Sequence, residues 1–185
     1  MKKRTNFEKL QIITNNYALL WKKSRGYAPD SVADKLDIAM LKWQYELTET
    51  LKIWIDKGLS LTDGELILAR ANIGAVVESW LKFFYCIYYE DYLKNPVYDN
   101  KGKIIDPEKL GLEKLKKIST GILWENEDSI KYKWVESVQL KRNAIHSFRY
   151  RDIGTPLEFL GDIEYLYQFV KDIVSRFPSI EDFFK

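Results

Sequence analysis

The chain has little of what metal centres and disulfide frameworks are built from. Among its 185 residues there is one cysteine, Cys86, and one histidine, His146. A single cysteine excludes an intrachain disulfide and a cysteine-based metal site, and one histidine beside it nearly excludes a zinc site. We therefore expect no metal site and no cofactor. Cys86 lies in an apolar run and is expected to be a buried small hydrophobe rather than a nucleophile.

Long hydrophobic runs and phosphate-binding loops are also missing. No apolar run approaches the about eighteen uncharged residues that a membrane span needs, and none follows the basic N-terminus as in a signal peptide. We expect a cytoplasmic protein with no membrane partner. Strand-like alternation and Gly-rich loops are absent too, which argues against Rossmann and P-loop folds. The net charge is only +2, so any nucleic-acid site must be a local patch.

The residues that are abundant are typical of a helical globular protein. Hydrophobic residues make up 46% and charged residues 30% of the chain, and its length suits one domain. Residues 1–185 are therefore predicted to form a single all-α domain. Apolar residues recur at helical spacing, and the long helices are predicted over about 7–21, 30–57, 62–93, 127–148 and 156–177.

The ends of several helices carry recognisable signals. Thr62 and Glu65 have capping-box spacing, as do Thr155 and Glu158, with a proline directly after Thr155. Asp106 followed by proline predicts a short helix. That helix lies within 95–125, a region that we interpret as an insertion between bundle helices. Such an insertion would either cover a groove or be surface padding.

The predicted second helix carries a narrow apolar stripe. Its members are spaced three or four residues apart: Leu36, Met40, Trp43, Leu47, Leu51 and Trp54. Such a stripe is either a bundle face or a dimer seam, and the spacing alone leaves both open.

The predicted third helix, 62–93, is the most apolar part of the chain and should be the central, most buried element. Gly74 within it suggests the close approach of a neighbouring helix. Glu78 needs a partner, because a carboxylate in so apolar a segment is costly without one. We hypothesise that Glu78 contacts and orients Arg142 or His146. The alternative is that Glu78 points to solvent.

The segment from Lys141 to Phe148 combines an arginine with the only histidine of the chain. Arg142 and His146 are four residues apart, and an α-helix would place both on one face. An arginine is a permanent cation whose donors suit phosphate oxygens, and a histidine transfers protons near neutral pH. Together they could bind a phosphodiester and move a proton beside it.

Arg142, Asn143 and His146 stand in the order of the HEPN signature, an arginine, a polar residue and, after a short spacer, a histidine. This stretch resembles that superfamily of small all-α proteins, although the spacer here is shorter than usual. The resemblance implies an up-and-down helical bundle, with a core over about 30–177 and an extra N-terminal helix. It also implies a metal-independent endoribonuclease in which His146 is the general acid or base and Arg142 binds the phosphate. Asn143 would donate a hydrogen bond or hold the helix end.

A local excess of basic residues surrounds the motif. Six of them lie between positions 131 and 151, with Glu136 as the only acid: Lys131, Lys133, Lys141, Arg142, Arg149 and Arg151. Phosphate contacts dominate nucleic-acid affinity, so Lys141, Arg149 and Arg151 are candidate RNA-binding residues. The alternatives are a solvated helix face and cations that stabilise a helix C-terminus.

Three functions remain open. The first is the HEPN-like endoribonuclease, in a setting such as a toxin paired with an antitoxin protein or phage defence. The second is a non-catalytic HEPN-like module that binds RNA, a nucleotide or a protein, which the short spacer favours. The third is an unrelated helical interaction protein. One histidine cannot act on both sides of a phosphodiester, so we predict a homodimer whose symmetry axis passes near His146 and its copy.

Overall fold

The computed structural model describes residues 5–146, 148 and 150–179. Over these residues the chain folds into α-helices joined by turns and three short 3₁₀ segments, without a β-strand. The all-α prediction is therefore confirmed. In chain order the helices are α1 Asn6–Trp21, α2 Asp30–Ile38, α3 Leu41–Lys57, α4 Asp63–Ile87, α5 Tyr89–Tyr92, α6 Leu112–Ile118, α7 Ile130–Arg142 and α8 Pro156–Val174.

Helix α4 is the centre of the bundle, as predicted. Its N-cap, Thr62, forms the expected capping box with Glu65. Fifteen of its 25 residues are buried, and it packs against α2, α3, α6, α7 and α8. The helix ends at Ile87 rather than near position 93, because Tyr88 leaves the α conformation before the short α5 begins.

The predicted helix over 30–57 is wrong in one respect, since it is two helices. Ala39 has an extended conformation, with φ −71° and ψ 134°, and separates α2 from α3. No glycine or proline marks this break. Helix α2 packs against α4 and α5, whereas α3 packs against α1 and α4. Because α2 and α3 pack against different neighbours, the two helices take different directions. Tertiary packing thus outweighs the local helix propensity at Ala39.

The break divides the apolar stripe into a buried and an exposed part. Leu36 and Leu51 are buried, and the indole N–H of Trp54 donates to Oδ1 of Asn72 on α4 at 3.0 Å. The remaining three members are largely exposed: Met40 by 53%, Trp43 by 59% and Leu47 by 36%. The stripe is therefore a bundle face at both ends and uncovered in its middle.

Helix α7 is shorter than predicted, and its buried face is rotated. It starts at Ile130 and ends at Arg142, and its buried residues are Tyr132, Val135 and Val138. Apolar spacing in the sequence predicts that Ile130, Trp134, Val138 and Ile145 point inward, but Ile130 and Ile145 are 77% and 44% exposed. The inner face is set by contact with α4 and α6, which the spacing of apolar residues within α7 does not reveal.

The region 95–125 packs against the bundle. Helix α6 contacts α4 and α7, and its Leu115 is fully buried. Asp106 precedes a 3₁₀ segment rather than an α-helix, and its carboxylate accepts a hydrogen bond from Tyr89 at 3.0 Å and lies 2.8 Å from Lys35 Nζ. Within the described part of the chain, no helix is long and apolar enough to cross a membrane.

Candidate functional site

Arg142 is the last residue of α7 and lies directly on α4. A Cβ atom on Gly74 would stand 2.5 Å from Cδ of Arg142, 2.7 Å from its Cγ and 2.8 Å from its Cβ. Only a residue without a side chain leaves room for the arginine there. The close approach expected at Gly74 is thus confirmed, and the approaching group is the arginine of the motif.

Glu78, one turn further along α4, holds the guanidinium of Arg142. Nη1 of Arg142 donates to Oε2 of Glu78 at 2.5 Å, and Nζ of Lys82 lies 2.8 Å from Oε1 of the same carboxylate. Burial opposes ionisation of Glu78, but the hydrogen bonds and charges of Lys82 and Arg142 outweigh it and hold its pKa below the usual value. The expected contact with Arg142 is present, and the alternative, a solvent-pointing Glu78, is wrong.

The trio of Glu78, Lys82 and Arg142 has two cations and one carboxylate, and therefore one unit of positive charge in excess. The Arg142 side chain is still 29% exposed. Because Glu78 accepts from one guanidinium nitrogen, an anion can approach the exposed edge of the same fork. The arrangement can bind a phosphate while the carboxylate fixes the orientation of the arginine.

The motif histidine does not share the α-helix with Arg142. After Arg142 the chain tightens into a 3₁₀ turn over Asn143–His146, which packs against α4. Four α-helical steps leave two side chains about 40° apart, whereas four 3₁₀ steps leave them about 120° apart. The expectation that Arg142 and His146 lie on one helical face is therefore wrong. The 3₁₀ turn instead aligns Asn143 with His146, three residues on.

The two residues differ in their exposure. Asn143 is the C-cap of α7 and is half-buried, with its backbone N–H bonded to the carbonyl of Gln139. His146 is exposed to solvent. The turn therefore presents the histidine at the surface, where a ligand can reach it.

Two of the candidate RNA-binding residues lie at one groove. Three basic residues, Lys133, Lys141 and Arg151, and two acidic residues, Glu136 and Asp152, line a cavity of about 370 Å³. The basic residues outnumber the acidic ones by one, and we call the cavity the basic groove. One of its lining residues, Lys141, directly precedes Arg142 in the chain. The third candidate, Arg149, lies outside the described residues.

Acidic residues of α8 and of the turn before α7 partly compensate the basic residues between positions 131 and 151. Lys131 pairs with Asp172, Lys133 lies 3.1 Å from Asp128, and Nζ of Lys141 lies 4.0 Å from Oε2 of Glu158. In the folded protein, acidic partners therefore neutralise part of the positive charge of residues 131–151. The pair of Lys133 and Asp128 is exposed, so it is worth little and exchanges readily for phosphate oxygens.

Arg70 is a structural residue of the site that sequence reasoning missed. Its side chain is fully buried in α4, pairs with Asp162 of α8 and donates from Nε to the carbonyl of Ile153 at 2.9 Å. Asp162 also accepts from the indole N–H of Trp134 at 2.8 Å. Arg70 thereby anchors the segment that follows the motif. Its charge in the most apolar helix was the available signal, the same one that identified Glu78.

Among the residues that the structure describes, no three or more His, Cys, Asp or Glu side chains are placed to hold a metal ion. No family model, curated protein or solved structure matches the chain. The residues of the site are therefore what indicates the function of the chain.

Proposed function

We propose that the chain is a HEPN-like, metal-independent endoribonuclease. The observation that supports it best is the placement of Arg142. Gly74 leaves room for the aliphatic stem of Arg142, and Glu78 binds its guanidinium. The turn that carries His146 begins directly after this arginine. An arginine that was simply exposed on the surface would need neither the space at Gly74 nor the carboxylate of Glu78.

The chemistry follows from the residue types. A base removes the proton of a ribose 2′-hydroxyl, whose oxygen attacks the adjacent phosphorus. The bond from phosphorus to the 5′-oxygen breaks, and an acid protonates that oxygen, which leaves a cyclic phosphate and a free 5′-hydroxyl. His146 supplies the base or the acid. Arg142 offsets the charge that develops on the phosphoryl oxygens, and Asn143 donates a hydrogen bond or holds the helix end.

Assembly completes the site in this proposal. Acid and base act on opposite sides of the phosphorus, and the chain has one histidine. A two-fold homodimer with its axis near His146 brings two copies of the motif to one cleft. The RNA strand would pass along the basic groove, where Lys141 and Arg151 exchange their present contacts for phosphates. A toxin or phage-defence role, with an antitoxin protein as partner, is the biological setting that this activity suits.

One observation favours a second function, a HEPN-like module that binds RNA or a nucleotide without cleaving it. The 3₁₀ turn rotates His146 away from the helical face that carries Arg142. An arginine and a basic groove are enough for binding, whereas cleavage also needs the histidine beside the phosphate.

One experiment separates the two functions. Labelled single-stranded RNA is incubated with the protein in excess chelator, and both binding and cleavage are followed. We expect cleavage by the wild type, none by His146→Ala or Arg142→Ala, and RNA binding retained in His146→Ala. Lys94→Ala, at an exposed lysine of the surface, is the matched control and should cleave normally.

The other outcomes are equally informative. Binding without cleavage by the wild type supports the module. Cleavage that survives in His146→Ala, or that chelation abolishes, contradicts the assignment of His146. If the protein neither binds nor cleaves RNA, both functions are wrong.

A further inference from the structure

Two aromatic residues follow the motif histidine closely. Phe148 is completely exposed and Tyr150 is 94% exposed, and we call the two the aromatic pair. Among the residues that the structure describes, they are the most exposed of the large hydrophobic residues, ahead of Ile130 at 77%. Such exposure leaves almost the whole of each ring in water. Both rings are therefore available to a ligand that presents a flat apolar surface of its own.

Positive charge flanks the aromatic pair. In the sequence, Arg149 stands between the two aromatic residues and Arg151 follows them directly. Between positions 137 and 157 the chain has four lysine or arginine residues and one acid, Asp152. Arg151 lines the basic groove, so the pair lies between His146 and that groove along the chain. Aromatic rings beside cations are the combination that binds single nucleic-acid strands, because the rings contact bases and the cations contact phosphates.

The rings suit unpaired bases and not paired ones. In an RNA duplex each base is stacked between its neighbours, so its face cannot reach a protein side chain. The bases of single strands, loops and bulges can turn outward and stack on aromatic rings. Phe148 and Tyr150 are two residues apart, so their Cα atoms are at most about 7 Å from each other. Two rings that close can contact bases of one short stretch of a single strand.

We propose that Phe148 and Tyr150 stack on unpaired bases of the RNA and thereby make single-stranded RNA the substrate of the site. This role rests on the proposed function, in its cleaving or its binding form, and adds the residues that contact bases. His146 is two residues from Phe148, so a base on Phe148 belongs to a nucleotide close to the phosphate on which His146 would act. The rings transfer no proton; they position the strand, whose phosphates contact Lys141 and Arg151.

A second copy of the chain is a less suitable partner for the aromatic pair than RNA. In the proposed homodimer, whose axis passes near His146, the two pairs would line one cleft. Direct contact between them would bring Arg149 and Arg151 towards their own copies, and like charges oppose such a contact. An RNA strand supplies a phosphate with every base, and so complements both the rings and the cations.

The test separates contacts with bases from contacts with phosphates. The full chain is titrated with a 2′-O-methylated uridine strand of about 12 nucleotides, which cannot be cleaved because the attacking hydroxyl is blocked. A strand of the same length and sugar that lacks all bases is titrated beside it. We expect Phe148→Ala and Tyr150→Ala each to weaken binding of the uridine strand about tenfold and to leave binding of the abasic strand unchanged. Tyr98→Ala, at a tyrosine that is 55% exposed and outside the basic groove, should change neither affinity.

Two further substitutions of Phe148 separate stacking from simple apolar contact. Phe148→Trp keeps a flat ring and should bind the uridine strand at least as tightly as the wild type. Phe148→Leu is apolar but has no flat face, and should bind as weakly as Phe148→Ala. Because Phe148 is completely exposed, all three variants should keep the melting temperature of the wild type.

A duplex tests the preference for unpaired bases. Annealing the uridine strand to its complement hides the base faces but keeps the phosphates. The wild type should bind this duplex more weakly than the single strand, and the difference should shrink in Phe148→Ala and Tyr150→Ala.

Three results overturn this role of the aromatic pair. In the first, Phe148→Ala and Tyr150→Ala bind the uridine strand as tightly as Tyr98→Ala does. In the second, they weaken binding of the uridine and abasic strands equally. In the third, Phe148→Leu binds like the wild type while light scattering shows that Phe148→Ala converts a dimer to a monomer, which makes the pair an interface between copies.

Failure of this role and failure of the proposed nuclease give different results. If the wild type cleaves unmodified RNA and both alanine variants match it in affinity and rate, only the stacking is wrong. If the aromatic substitutions abolish base-dependent binding and the wild type does not cleave, the nuclease is wrong and the stacking belongs to a binding module. If the wild type binds neither these strands nor unmodified RNA, both are wrong.

Discussion

A methyl group on Gly74 would overlap the stem of Arg142, because it would lie 2.5–2.8 Å from three carbon atoms of that side chain. One of the three is Cβ, which cannot move without the backbone of α7. A glycine in the middle of the central helix therefore determines where the motif arginine can be.

Gly74→Ala should destabilise the protein. The displacement of Arg142 and the end of α7 should lower the free energy of unfolding by about 1–3 kcal/mol, as overpacking does in other cores. Gly161→Ala is the matched control, since Gly161 is also inside a helix but a Cβ there meets nothing within 4 Å. It should raise stability by about 1 kcal/mol. Chemical denaturation of both variants measures the two values, and shifts of the same sign would contradict the contact.

Glu78→Gln should make stability less dependent on pH. The lowered pKa means that the Glu78 carboxylate stabilises the folded state. That contribution is complete above the ordinary glutamate pKa of 4.5 and is lost as the pH falls through the lower, folded-state pKa. Wild type should therefore be more stable than Glu78→Gln at neutral pH, and the difference should shrink in acid. A difference that is constant from neutral to acidic pH would show that this carboxylate gains nothing from Lys82 and Arg142.

Asp162→Ala should be among the most damaging single substitutions. It would leave the fully buried guanidinium of Arg70 without its counter-charge and Trp134 without its acceptor. Removing one partner of a buried pair typically costs about 3–5 kcal/mol. Asp128→Ala breaks an exposed pair with Lys133 and should change stability little. Thermal unfolding compares the two, and equal losses would contradict a special role for Arg70.

The sequence predicts the parts of this fold that local chemistry decides. The capping boxes at Thr62 and Thr155 and the burial of α4 follow from residues within a few positions of one another. The break at Ala39 does not, because it depends on which neighbours α2 and α3 find. The prediction of which face of α7 is buried is wrong for the same reason, as the exposed Ile130 shows.

The site is predictable to the same extent. A carboxylate and a glycine in an apolar helix predicted contacts, and both contacts are with Arg142. The change from α to 3₁₀ geometry after Arg142 has no clear local signal in Asn143–His146, so the relation between arginine and histidine was predicted wrongly. Arg70 could have been predicted by the reasoning that was applied to Glu78.

Lys141→Ala should weaken RNA binding and its dependence on salt. If Lys141 contacts a phosphate, its loss should reduce the slope of log affinity against log salt concentration by about 1. Lys94→Ala, an exposed lysine outside the basic groove, should leave the slope unchanged. Titrations of single-stranded RNA at several salt concentrations measure both. Equal slopes for wild type and Lys141→Ala would remove the basic groove from the RNA path.

Mixing experiments should reveal whether two copies of His146 act in one site. In the proposed homodimer, each cleavage needs an acid and a base, and the chain supplies one histidine per copy. If wild type is mixed with His146→Ala at constant total concentration and allowed to exchange, only dimers of two wild-type copies should cleave. The rate should then fall with the square of the wild-type fraction. A linear fall would mean that each copy works alone, and light scattering that shows a monomer at the assay concentration would exclude the shared site directly. As a control, wild type is mixed in the same way with Leu157→Ala, which keeps the motif, and the rate should stay unchanged. A fall seen only with His146→Ala then comes from the missing histidine and not from the mixing of subunits.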